Sequence, residues 1–217
     1  MNARILRIVL SFLVITAVCG LVLASHPELR QGRKAAHTAN GRADTSSGAQ
    51  WRWQNPLPQG NNLRGVSVVN ANTGTLVGDY GTIVRTTDGG NNWTIQSSGT
   101  TQTLWAVSFT DSSNGTAVGE VGTILRTTDG GGHWMTRPSG TVLNLRAVSF
   151  TGSSGTAVGE GGVILRTTNG GSMWVPQSSG TAETLFGVSF SDSNTGTAVG
   201  GTFGQSEIFR TTDGGEH

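Results

Sequence analysis

From about residue 60 onward the chain is a succession of short apolar alternations cut by Gly, Asn, Asp and Ser. In LWAVSF at 104–109, Val107 and Phe109 alternate with Ser108; TAVG at 116–119 and TILRTT at 123–128 follow, and WMTR at 134–137 closes the run. Short segments of period two bounded by turn formers predict β-strands. Ile124 and Leu125 form an apolar pair suited to burial on both sides. One such stretch of about forty residues therefore predicts four strands.

The same order recurs. LRGVSVVNANTGTLVGDYGTIVRTTDGGNNW fills residues 63–93, LWAVSFTDSSNGTAVGEVGTILRTTDGGGHW 104–134 and LRAVSFTGSSGTAVGEGGVILRTTNGGSMW 145–174, while a fourth unit starts at Leu185 and reaches TTDGGEH. Trp93, Trp134 and Trp174 are spaced by 41 and 40 residues, the length of a four-stranded propeller blade. A lone sheet of this size leaves both apolar faces wet, and twisted sheets stack radially. The expected fold is thus all-β, a β-propeller of about four antiparallel four-stranded blades over residues 51–217. Trp53 stands ten residues before Leu63, close to the eleven between Trp93 and Leu104. It is expected to begin an orphan fourth strand, which leaves two outcomes: four blades closed by that strand, or an incomplete ring.

The TTDGG-x-x-W turn, an Asp-box, has its own chemistry. Asp88, Asp129, Asn169 and Asp213 stand at the reversal, where an Asx side chain accepts backbone N–H groups. The Gly pair that follows permits the positive φ of a tight turn. Trp93, Trp134 and Trp174 are expected to fold back as apolar lids. Asn169 replaces the carboxylate in one copy, which fits a hydrogen-bonding clasp better than catalysis or metal binding.

Composition narrows the function classes. The 34 glycines and the scarcity of charged residues, 12%, disfavour helices. A net charge of +1 gives no electrostatic case for nucleic acid. The single cysteine, Cys19, lies in an N-terminal apolar run, so neither an internal disulfide nor a cysteine metal site is expected, and no metal or cofactor is implied. Arg4 and Arg7 precede that run, which ends at Val22-Leu23-Ala24. Residues 1–24 read as a signal peptide, with an uncleaved anchor over 8–24 as the alternative. Residues 25–50 lack apolar periodicity and read as a disordered linker. An exported protein in a periplasmic, lumenal or extracellular space follows.

TAVGEVGTILRTTDGGGHW and TAVGEGGVILRTTNGGSMW resemble the photosystem II stability/assembly factor family, whose members are lumenal or periplasmic propellers. The resemblance covers roughly residues 51–217 through L-x-x-V-S-F, G-T-A-V-G and G-x-I-L-R-T-T-[DN]-G-G-x-x-W in order. It implies a non-catalytic scaffold holding a membrane-protein subunit during assembly. The family typically has seven blades, against four units here.

Two sets of repeat-equivalent charges are candidate contacts for a protein partner. Arg85, Arg126, Arg166 and Arg210 form an arc able to grip carboxylates bidentately; the alternative is that each braces its own hairpin or the neighbouring blade. Asp79, Glu120 and Glu160 fall in the turns after the second strands, on the opposite rim. The longer fourth connection, GGTFGQSE, is expected to be an irregular loop. The rival function is a glycoside hydrolase of sialidase type, which needs a Tyr nucleophile or two non-equivalent carboxylates. Tyr80 is the one tyrosine and the acids are repeat-equivalent, and the histidines are scattered. A secreted carbohydrate-binding propeller is a third reading, with Trp51 and Trp105 as stacking platforms if exposed; Trp105, on an innermost strand, is expected to be buried.

Overall fold

The computed structural model describes residues 60–216. The leader, the linker and the Trp53 strand expected from the sequence lie outside these residues.

The repeats form four antiparallel sheets. The first contains β1 (Leu63–Val68), β2 (Gly74–Gly78), β3 (Ile83–Thr86) and β4 (Thr94–Gln96). The second contains β5 (Leu104–Phe109), β6 (Gly115–Gly119), β7 (Ile124–Thr127) and β8 (Met135–Thr136). The third contains β9 (Leu145–Thr151), β10 (Ser154–Gly159), β11 (Ile164–Thr167) and β12 (Val175–Gln177). The fourth has three strands, β13 (Leu185–Phe190), β14 (Gly196–Thr202) and β15 (Gln205–Thr211). Each sheet is a meander, as short alternating runs joined by tight turns dictate.

Neighbouring innermost strands meet in the series β1, β5, β9, β13, and among the described residues no comparable contact joins β13 to β1. The fold is an incomplete β-propeller of four blades. Its cores lie between blades. At the first junction Val77 and Ile83 of one sheet pack against Leu104, Val107, Ala117, Leu125 and Trp134 of the next, and Val118 and Ile124 repeat this against Leu145, Leu165 and Trp174. Both faces of a middle blade are therefore buried, each full-sized aliphatic side chain contributing about 1.5–3 kcal/mol. That burial explains the near-continuous apolar third strands.

Polar side chains cross the same junctions. Gln96 donates to the Gly130 carbonyl of the next blade at 2.9 Å and accepts from Trp134 Nε1 at 3.2 Å. Trp134 also meets Phe109 edge-on at 5.8 Å, as Trp174 meets Phe150. The connection 200–207 departs from the expected irregular loop. It is a regular ladder in which Gly200, Gly201 and Thr202 pair with Glu207, Ser206 and Gln205. Longer strands on both sides absorb the extra residues.

Candidate functional site

The Asp-box turns build one rim. Thr127 Oγ1 donates to Asp129 Oδ1 at 2.8 Å and accepts the Gly131 N–H at 2.8 Å, while the His133 N–H donates to Asp129 Oδ1 at 2.9 Å. Asn169 Oδ1 accepts from Thr167 Oγ1 and from the Met173 N–H, both at 2.9 Å, so the amide reproduces the two bonds that Asp129 Oδ1 makes within its turn, without the second-oxygen contact of Asp129 to the His133 ring. Asp88 and Asp213 accept from Thr86 and Thr211 at 2.8 and 2.7 Å. Donation from the His133 backbone and ring holds the Asp129 carboxyl well below the usual carboxylate range.

The repeat arginines stand near this rim but face the blade junctions. Arg85 is buried, donates to Thr75 Oγ1 at 2.7 Å and to the Ser112 carbonyl of the next blade at 2.5 Å, and lies 4.7 Å from the Phe109 ring centre. Arg166 is buried in the same way, on Thr156, the Ser193 carbonyl and Phe190. Arg126 reaches the Gly170 carbonyl. Arg210, on the last blade, is exposed. Burial pushes the Arg85 and Arg166 guanidiniums below their ordinary value.

The opposite rim carries a constellation that the repeat-equivalent charges alone did not reveal. Every innermost strand has a bulge after its first residue. Leu104 pairs with Gly119 and Ala106 with Val118, so Trp105 has no cross-strand partner. The same interruption isolates Arg64, Arg146 and Phe186. A bulge re-aims its extra residue. The Arg64 and Arg146 guanidiniums consequently lie 4.9 and 4.4 Å from the centre of the Trp105 ring, within cation–π range. Trp105 is half-buried rather than buried, because the bulge turns it out of the blade junction.

The acidic turns flank this row. Arg64 donates to both Asp79 oxygens, at 2.8 and 3.1 Å, and Asn62 adds a third bond at 2.9 Å. Arg146 pairs with Glu160, which also accepts from Asn144 at 3.0 Å. Glu120 accepts the Thr103 N–H at 3.0 Å. Arg64 and then Asn62 lower the Asp79 carboxyl, and Asn144 and then Arg146 lower that of Glu160. Asp79, Glu120 and Glu160 each open a one-turn 3-10 segment, whose middle residues Tyr80 and Val121 have φ of 55° and 53°. Positive φ is a strained setting for a β-branched side chain. Tyr80, Val121, Leu143 and Phe186 are exposed, so apolar groups border the charged row.

The sequence signal for this row was the second position of L-x-x-V-S-F. It reads Arg, Trp, Arg, Phe in a repeat that otherwise hardly varies along this strand. Among the described residues no cluster of His, Cys, Asp and Glu is able to hold a metal ion, and no helix is long and apolar enough to cross a membrane.

A family model for "Photosynthesis system II assembly factor YCF48" matches residues 92–179. The solved structure of YCF48 bound to D1 peptide is similar at a TM-score of 0.56 and 24% identity, covering 71% of this chain and 54% of that one. The GH74 enzyme of Niastella koreensis aligns at 0.56 and 19% identity over 68% of this chain and 28% of its own. The GH74 xyloglucanase of Xanthomonas campestris aligns at 0.54 and 15% identity over 72% and 29%. The chain thus spans about half the length of the YCF48 chain and under a third of either GH74 enzyme. No curated protein matches it. At these identities the solved structures speak to the fold, whereas the family match falls on the repeats themselves. The chain is thus an all-β propeller whose repeats over residues 92–179 are similar to those of photosystem II assembly factors.

Proposed function

We propose that the chain is a non-catalytic scaffold that binds an extended peptide segment of a membrane-protein partner across the Arg64–Trp105–Arg146 row. The observation that carries this reading is the repeated bulge, which turns one side chain per blade out of the ladder. Arg64 and Arg146 are held by Asp79 and Glu160, and each guanidinium has five N–H groups, more than these pairs use, to offer to a carboxylate or to peptide carbonyls. Trp105 and Phe186 offer apolar faces, and the strained turns at Tyr80 and Val121 stand beside them. Protein interfaces favour aromatic residues and arginine in this way. The complex of YCF48 with a D1 peptide makes such a peptide the first ligand to test.

The acids support the non-catalytic reading. Glycoside hydrolysis uses two carboxylates with separate roles. Here Asp79 and Glu160 hold arginines, and Glu120 holds a backbone N–H. The same proposal places the scaffold on the exported side of a membrane, on the strength of the N-terminal apolar run.

Fluorescence anisotropy with a labelled D1 peptide tests the reading. Saturable binding is expected, weakened at least about tenfold by Arg64→Ala or Trp105→Ala and left unchanged by His133→Ala on the opposite rim. Binding indifferent to both site variants, or turnover of sialoside or β-glucan substrates, would contradict it.

A further inference from the structure

The junction between the second and third blades lacks the polar links that fasten the junctions on either side of it. At those two, Ser67 and Ser149 accept the N–H of Phe109 and Phe190 in the following blade, at 3.0 and 3.2 Å. Arg85 and Arg166 donate to the Thr75 and Thr156 hydroxyls and to the Ser112 and Ser193 carbonyls, and lie over the rings of Phe109 and Phe190. Ser108, Thr116, Arg126 and Phe150 hold the same places between the second and third blades. Among the described residues none of these contacts joins them, and Arg126 turns its Nε to the Gly170 carbonyl instead.

A shorter turn explains the difference. In the second and fourth blades the connection after the innermost strand is built on Asp111 and Asp192, each of which accepts two backbone N–H groups. The third blade has Gly152-Ser153 alone between the paired Thr151 and Ser154, with Gly152 at φ 59°. The carbonyl that would take the Arg126 guanidinium has no counterpart there. A cavity of about 440 Å³ opens in its place, lined from both blades.

The groups left over face this cavity. The Arg126 guanidinium keeps its two terminal nitrogens, and Thr116, only 2% exposed, brings a hydroxyl that its counterparts spend on arginine. Asn169, also on the wall, stands where the other three Asp-boxes carry a carboxylate. Its Oδ1 is engaged within its own turn, which leaves the amide N–H groups to donate. Phe150 supplies an apolar side.

We propose that this cavity binds a small organic carboxylate, with Arg126 gripping the two oxygens, Thr116 and Asn169 donating beside it, and Phe150 covering the carbon skeleton. The junction is short of an acceptor, and a guanidinium fork matches a carboxylate. Asp111 on the cavity wall, its oxygens taken up by Ser113 and Asn114, disfavours a doubly charged anion. The volume also exceeds what an inorganic ion fills. A free acid and the end of a peptide chain carry the same chemistry. The site lies on the Asp-box rim, so it stands apart from the Arg64–Trp105–Arg146 row.

Amide and arginine Nε NMR of the full chain tests the proposal. Benzoate should give saturable shifts at Arg126, Phe150 and Gly170, and benzamide, which lacks the charge, should give none. An acetylated dipeptide with a free carboxyl end, against its amide, separates the sources: shifts at the same residues extend the site to chain ends, and shifts with benzoate alone restrict it to free acids. Asn169→Asp restores the residue of the other repeats, so the fold should persist while benzoate affinity falls at least about tenfold. Grafting the 111–114 turn in place of 152–154 returns an acceptor to Arg126 and should abolish the shifts without lowering the urea midpoint. No saturable shift with either carboxylate, equal shifts with benzamide, inorganic phosphate bound as tightly as benzoate, or undiminished binding in the grafted protein would overturn the proposal.

Discussion

Val121 sits at φ 53° in a turn where the third blade has Gly161 at φ 62°. A β-branched residue is strained there, so Val121→Gly should stabilise the fold by about 1 kcal/mol, read as a higher urea midpoint with an unchanged slope. The Asp-box carboxylates have a different signature. Their donors lower Asp88 and Asp129 in the folded state, so their contribution is complete above the unfolded value, about pH 4, and is lost as pH falls through the lower folded values. Stability should therefore decline below about pH 4. Asp129→Asn should lose less over that range, since Asn169 already accepts from the threonine hydroxyl and the backbone N–H of its turn without a titrating proton. Identical pH profiles for the two proteins would refute the assignment. The hydrogen-bonding role was legible in the sequence because one repeat carries Asn for Asp.

At the scale of elements, the cross-blade links explain one imperfection. Gln96 accepts the Trp134 indole proton, but the matching residue in the next blade is Arg137, which has no acceptor. Trp174 Nε1 and Arg137 Nε are both buried without a hydrogen-bond partner. Arg137→Gln should supply the acceptor and raise stability by about 1 kcal/mol, measurable by chemical denaturation. Strand order and blade length were readable from the spacing of Trp93, Trp134 and Trp174. The bulges were not, because a bulge leaves the alternation of Val107, Ser108 and Phe109 intact and shifts only the residue ahead of it. That is why Trp105 was expected in the core and is found on the inner rim.

For the whole molecule, period and patterning dictated the all-β propeller, and the described residues form four successive blades whose innermost strands meet in sequence order. The placement of charge was harder to read. A charged residue recurring in every repeat looks alike whether it meets a partner or the next blade, and only burial separates Arg85 and Arg166 at the junctions from Arg64 on the rim. The account's central claim is that recognition occurs on that inner rim, away from the Asp-box turns. Hydrogen–deuterium exchange with and without a D1 peptide tests this most directly. The account predicts added protection at residues 62–68, 103–108 and 144–148, with the Asp-box turns at 86–92 and 127–133 unchanged. Protection confined to those turns, with none on the inner strands, would contradict it.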